Sequence, residues 1–203
     1  MISSKTGDGP ISRYLNRRIS GPITRLLVKT TATPNQVSVA AFVVALFAAA
    51  ALMEGYHVLG GLLVQISSIV DGVDGELARS KRMVTPFGGF FDSLLDRYSD
   101  AAIIFGMLMY ILRTEPGRLA PQIALLALLG SLAISYSRAK AESSGSLDFT
   151  KGILAFASRD VRLLIIALGS ILGWVFWSLV FLSILTNSIV VLRVFAARRT
   201  LTA

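Results

Sequence analysis

Runs of apolar residues long enough to span, or nearly span, the ~30 Å hydrocarbon core of a bilayer recur along this chain and leave it one backbone solution. In lipid every peptide group needs a partner inside its own segment or a closed barrel, so runs of this length fold as helices. They cover residues 37–53, 58–70 continuing toward 78, 88–112, 119–136, 153–172, interrupted by the charged cluster Arg159, Asp160 and Arg162, and 174–194. The expected fold is an all-α integral membrane protein with six transmembrane helices. No part of the 203-residue chain is polar enough for a second globular domain: 54% of it is hydrophobic and 16% charged.

Residues 1–10 read as a polar N-terminal tail, without the apolar core of a signal peptide. Residues 11–33 read as a juxtamembrane amphipathic helix on the membrane surface. Ile11, Leu15, Ile19, Ile23, Leu26 and Leu27 fall on one side, and Arg13, Arg17, Arg18 and Arg25 largely on the other. Pro34 and Asn35 end this segment, with Asn35 the expected N-cap of the first span. Residues 34–203 form the expected six-helix domain.

The net charge of +8 would point to nucleic acid in a soluble protein, but here the cations sort by loop. Arg13, Arg17, Arg18, Arg25 and Lys29 precede the first span, Arg79, Lys81 and Arg82 follow the second, Lys151 and Arg159 lie between the fourth and fifth, and Arg193, Arg198 and Arg199 close the chain. The opposite loops hold little beyond Arg113 and Arg118. The positive-inside rule therefore puts both termini and the loop after residue 79 in the cytoplasm. The chain has no cysteine, which excludes disulfides, thiolate metal ligands and a Cys nucleophile.

Against this background Asp71, Asp74, Asp92 and Asp96 mark a function, because a carboxylate in a membrane helix is costly and kept for use. Asp71 and Asp74 are i, i+3 neighbours on one helical face. Gly88, Asp92 and Asp96 repeat every fourth residue along one stripe of the next helix. A basic, turn-prone segment at residues 80–87 would let the two helices run antiparallel and point all four carboxylates at one spot. Oxygen-only ligation favours Mg²⁺ or Mn²⁺, and more than two carboxylates with no His or Cys argue for a pair of ions.

The pattern Asp71, Asp74, Gly75, Ala78, Arg79, Gly88, Asp92, Asp96 resembles the signature of the CDP-alcohol phosphotransferases at every position. The N-terminal run from Asp8 to Asn35 and the SRAKAE and SRDVR segments look more particularly like the membrane domain of di-myo-inositol-phosphate-phosphate synthases. The resemblance implies transfer of a phosphoalcohol group from a CDP-alcohol to an acceptor hydroxyl, with release of CMP. It implies that Asp71 and Asp92 bridge two ions, that Asp74 and Asp96 each complete one site, and that Asp96 is the base. Gly75 would let the nucleotide approach the backbone and Arg79 would bind the diphosphate. Thr85, Pro34 and Asn35 would line the cytidine side, with Ala78 and Gly88 as further signature positions around the CDP-alcohol. A homodimer is the expected assembly, and a separate cytidylyltransferase the expected source of CDP-inositol.

Arg138 and Lys140 near one helix end, with Arg159 and Arg162 near another, suit an acceptor phosphate that arginine can hold with a bidentate fork. The same cations also fit positive-inside topology or anionic lipid headgroups. Inositol 1-phosphate is the acceptor the resemblance favours. A lipid-synthesising member of the family, using a CDP-linked lipid and a polar or phosphorylated alcohol, carries the same signature. A divalent-cation transporter would account for the aspartates but not for Gly75, Ala78, Arg79 and Gly88 at fixed offsets. His57 and the pair Trp174 and Trp177 read as interfacial residues, and Asp100, one turn beyond Asp96, reads as the partner of a polar or basic neighbour.

Overall fold

The computed structural model describes residues 16–115, 119–145, 147–149 and 152–201. The expected tail at residues 1–10 and the start of the amphipathic segment, with Ile11, Arg13 and Leu15, lie outside these residues, as do Arg118 and Lys151. The described chain is all helical: α1 (Arg17–Leu27), α2 (Pro34–Met53), α3 (His57–Ser80), α4 (Pro86–Thr114), α5 (Ala120–Ser144), α6 (Arg159–Ile171) and α7 (Val175–Leu201), with a 3₁₀ turn at Gly152–Ala155.

Six helices do follow α1, but the expectation of six transmembrane spans is corrected: among the described residues only α2, α3, α5 and α7 are long and apolar enough to cross a membrane. The expected span at residues 153–172 is broken, because the 3₁₀ turn takes its first part and α6 has only 13 residues. Such a helix rises about 20 Å, short of a hydrocarbon core of about 30 Å. α4 is long enough at 29 residues, but its first half carries Asp92, Asp96, Arg97 and Asp100. The length of an apolar run was the wrong measure where the run is interrupted by ionised groups that pack inward.

Local chemistry explains where the helices begin. The Thr33 hydroxyl accepts from the Gln36 backbone N–H, the Gln36 side chain accepts from the Thr33 N–H, and Pro34 follows at a position that needs no donor. Thr33, not Asn35, is therefore the N-cap of the first span, and Asn35 stands in its first turn. α4 repeats the device: the Thr85 hydroxyl accepts from the Gly88 N–H at 3.0 Å and Pro86 comes next. The α3–α4 turn is tied down by Lys81, whose Nζ donates to the carbonyls of Thr30 and Ala32, both at 2.7 Å.

α2 packs along both α3 and α4, α3 also packs on α6, and α5 lies along α7. Ala45, Ala48 and Leu52 of α2, Ile103 and Met107 of α4, Leu163 of α6 and Leu179 of α7 meet in one buried core. Lipid tails give no hydrophobic drive for helix association, so close backbone approach has to supply it. Gly106 does so: a Cβ there would stand 2.6 Å from the Ala49 carbonyl oxygen of α2. Large apolar side chains such as Phe47, Phe105, Leu125 and Phe181 are exposed around the bundle, where they meet lipid in an integral membrane protein.

α1 presents three edges rather than two. Asn16, Ser20 and Thr24, spaced four apart, are buried against α3. The Ser20 and Thr24 hydroxyls donate to the two carboxylate oxygens of buried Glu76 at 2.9 and 2.8 Å. Asn16 donates to the Ser68 hydroxyl and accepts from the Gln65 side-chain amide. Ile19, Ile23 and Leu26 stay exposed, as a helix lying on a membrane surface requires. His57 joins α3 to α6 through a 2.7 Å hydrogen bond with the Ser170 carbonyl.

Candidate active site

α3 carries Asp71, Asp74, Gly75, Ala78 and Arg79, and α4 carries Gly88, Asp92 and Asp96. The two helices pack chiefly on α2 rather than on each other, which leaves a cleft that their polar side chains enter from both sides. Carboxylate oxygens of Asp71, Asp74 and Asp92 approach within 4.8 Å of one another there. Asp74 is the most buried of the three and accepts a hydrogen bond from the Ser38 hydroxyl of α2. Three converging carboxylates, with oxygen the only donor atom, form a cluster that suits a divalent metal ion such as Mg²⁺ or Mn²⁺.

Asp96 lies beside this cluster and is held differently. Nη1 of Arg159, the first residue of α6, forms ion pairs with Asp71 Oδ2 at 2.8 Å and with Asp96 Oδ1 at 2.9 Å. Nε of Arg159 donates to Asp100 at 3.2 Å, and Arg162 holds the other oxygen of Asp100 at 2.7 Å. Asp100 thus pairs with basic neighbours as its sequence position led us to expect. A cation at a helix N-terminus is opposed by the helix dipole. Arg159 keeps that position because three carboxylates surround it.

A cavity of about 230 Å³ opens beside the carboxylates. Pro34, Asn35, Gly75, Ala78, Arg79, Thr85 and Gly88 all line it, together with Asp74 and Asp92. Its shape depends on the two glycines. A Cβ on Gly75 would meet Arg79 Nη1 at 3.3 Å, and one on Gly88 would meet Thr85 Oγ1 at 3.1 Å and Asn35 Oδ1 at 3.3 Å. Among the described residues the buried Nε of Arg79 has no hydrogen-bond partner, so the guanidinium beside the cavity keeps an unused donor for an anion.

The basic residues expected to share a phosphate are only partly together. Arg159 and Arg162 meet at Asp100, whereas Arg138 pairs with Glu142 at 2.9 Å on its own helix and Lys140 is exposed. The sequence reading missed Ser38, which looks like one more small residue in an apolar helix. It also missed Met83, Val84 and Gly89, which complete the cavity wall. Arg193 was read as a terminal loop charge, yet it is 3% exposed and donates to the carbonyls of Ile134 and Leu154 and to the Ser137 hydroxyl. Its place inside the apolar run VVLRVF was the available signal.

Comparison with known proteins bears on this geometry. The family model for CDP-alcohol phosphatidyltransferase matches residues 31–187. A bifunctional IPC transferase and DIPP synthase of Rubrobacter xylanophilus is 43% identical over 166 residues, which are 82% of this chain but 37% of that protein. The chain therefore spans well under half the length of this relative. An archaetidylinositol phosphate synthase of Pyrococcus horikoshii is 33% identical over 187 residues, covering 91% of this chain and 95% of that one. Among solved structures, Mycobacterium tuberculosis phosphatidylinositol phosphate synthase with CDP-DAG bound superposes with a TM-score of 0.77 at 28% identity, over 89% of this chain and 94% of that one. The same mycobacterial enzyme in complex with manganese and citrate gives 0.74 at 28% identity, over 87% and 88%. With the signature complete, the cleft formed and most of its length matched, this chain belongs to the CDP-alcohol phosphatidyltransferase family.

Proposed function

We propose that the protein transfers a phosphoalcohol group from a CDP-alcohol to an acceptor hydroxyl, with CDP-inositol and inositol 1-phosphate as substrates and di-myo-inositol phosphate phosphate and CMP as products. One observation carries the reading: a cavity bordered by Arg79 and by the signature glycines opens onto the carboxylates of Asp74 and Asp92. A nucleotide diphosphate needs both a concave apolar wall and charge neutralisation at one end, and this cleft supplies them together.

Asp71 and Asp92 are assigned to two Mg²⁺ or Mn²⁺ ions in common, with Asp74 completing one site and Asp96 the other. Bound there, the ions supply charge neutralisation on both phosphates. Asp96 takes the proton from the acceptor hydroxyl, whose oxygen forms the new P–O bond at the alcohol-linked phosphorus as the bond to CMP breaks. Arg79 clamps the diphosphate. Gly75 and Gly88 keep the backbone open to the nucleotide, and Ala78, Thr85, Pro34 and Asn35 wall its cytidine side. Arg159 is assigned to the acceptor phosphate, with Arg162 supporting it from behind through Asp100 and Arg138 and Lys140 at its approach. Both termini and the cleft face the cytoplasm, the CDP-inositol is the product of a cytidylyltransferase reaction, and the protein works as a homodimer.

The nearly full-length match to an archaetidylinositol phosphate synthase favours a second reading, in which the donor is a CDP-linked lipid. Exposed Met83, Val84 and Phe87 beside the cavity would suit an acyl or isoprenoid chain. Purified protein with Mg²⁺, a panel of CDP-alcohols and a panel of acceptors, scored by CMP release, separates the two. Turnover of CDP-inositol with inositol 1-phosphate supports the first reading, and turnover only with CDP-lipids replaces it by the second. No CMP from any pair refutes both.

A further inference from the structure

Arg159 enters the carboxylate cluster from outside α3 and α4, and the way it enters is specific. A single nitrogen, Nη1, is shared between Asp71 Oδ2 and Asp96 Oδ1. These carboxylates are the ones assigned to the second divalent ion, the first being placed among Asp71, Asp74 and Asp92. An Mg²⁺ ion sits about 2.0–2.1 Å from each of its oxygens. Placed on the oxygens that Nη1 already holds, it would lie about 4 Å from a guanidinium of the same sign. The two cations can share those oxygens only against their mutual repulsion, so each weakens the other's hold.

The rest of the Arg159 side chain is anchored independently. Its Nε donates to Asp100, and Asp100 is fixed from behind by Arg162, which is 2% exposed and also donates to the Ala157 carbonyl at 3.2 Å. Moving Nη1 away from Asp71 and Asp96 therefore leaves the Nε–Asp100 contact as a pivot. We infer that Arg159 is a built-in counter-cation that holds Asp71 and Asp96 in competition with the second divalent ion, so that loading this ion turns the guanidinium out about Asp100 and frees its Nη groups for an anion. The inference rests on the two-ion reading above. It adds an order to it, with the second ion preceding the acceptor phosphate.

The test is a Mn²⁺ titration of the detergent-purified protein without substrates, reading free hydrated Mn²⁺ by electron paramagnetic resonance. Wild type should bind a first ion and a weaker second one. Arg159→Gln should tighten the second ion by about tenfold or more while changing the first by less than about threefold, because only the second competes with Nη1. Arg162→Gln removes the same charge one layer farther back and should tighten the second ion much less. Arg159→Lys keeps the charge needed for folding and loses the Nε pivot. It should fall between wild type and Gln, and it carries the comparison if the Gln variant does not purify. Inositol 1-phosphate should tighten the second ion in wild type and fail to do so in Arg159→Gln.

Equal affinity for the second ion in wild type and the Arg159 variants overturns the inference and leaves the two-ion reading standing. Equal tightening of both ions, or as large an effect from Arg162→Gln, also overturns it, since either result means charge at a distance rather than competition. A single bound ion in every variant refutes the two-ion reading and the inference with it.

Discussion

Asp100→Asn isolates the ion pair that stands behind the carboxylate cluster. Asp100 is 5% exposed and receives Arg162 Nη2 at 2.7 Å and Arg159 Nε at 3.2 Å. The substitution keeps the shape and one carbonyl oxygen but removes the charge, leaving Arg162 buried with only the Ala157 carbonyl among its protein acceptors in the described residues. Removing one partner of a buried pair costs about 3–5 kcal/mol, mostly the penalty on the charge left behind. In a chain of this size each kcal/mol moves the thermal midpoint by about 2–4 °C, so a fall of about 6–20 °C is expected. The assay is thermal unfolding in detergent followed by tryptophan fluorescence. Replacing both partners in Asp100→Leu/Arg162→Leu should recover a large part of the loss, since no buried charge then lacks its partner. A midpoint within about 2 °C of wild type for Asp100→Asn, or a double variant less stable by the sum of its single variants, would refute the account of this pair as mutually neutralising.

Asp71→Asn should leave less than about a tenth of wild-type CMP release while the protein remains folded, because anion repulsion in the cluster is relieved; EDTA should abolish turnover and Mg²⁺ or Mn²⁺ restore it. Asp96→Asn keeps an oxygen but cannot take the proton, so turnover should fall far more than CDP-alcohol affinity in paired kinetic and binding measurements. Arg79→Lys keeps charge and loses the planar fork, and CDP-alcohol affinity measured by calorimetry should weaken by about 1.5–3 kcal/mol. Gly106→Ala drives a methyl into the Ala49 backbone of α2 and should lower stability by about 1–3 kcal/mol in detergent melts, with no special effect on nucleotide affinity.

The fold was legible in the sequence where one force decides the structure. α2 and α7 are apolar all round, and hydropathy alone placed them. α4 and α6 answer to two forces at once, since the same segments have to pack in a bundle and carry Asp92, Asp96, Asp100, Arg159 and Arg162. A running average of hydropathy cannot see that charges four residues apart are paired with charges sixty residues away. It therefore merged the 3₁₀ turn at Gly152–Ala155 with α6 into a single expected span. The start of the first span was misplaced by two residues for a simpler reason: Thr33, Pro34 and Asn35 all carry helix-start chemistry, and the reciprocal bond with Gln36 decides among them.

The carboxylates and glycines of the cleft were legible because their spacing alone sets a face of each helix. What surrounds them was legible only in part, because it comes from other elements: Arg159 stood out as a charge near a helix end but not as a partner of these carboxylates, and Ser38 looked like one more small residue. Ser38 reaches Asp74 from α2, and Arg159 reaches Asp71 and Asp96 from α6. On the other side of α3, Glu76 sits next to Gly75 in the chain yet points away from the cavity, into the hydroxyls of Ser20 and Thr24. That division has a physical consequence. Asp71 and Asp74 would turn out of the cleft if α3 rotated about its axis, and apolar packing in lipid resists such rotation weakly, since one methyl-covered face is much like another. A buried carboxylate held by two hydroxyls resists it strongly, because rotation would strand Glu76 without partners in a low-dielectric setting. The surface helix α1 therefore serves the site it never touches, by fixing which face of α3 looks into the cleft.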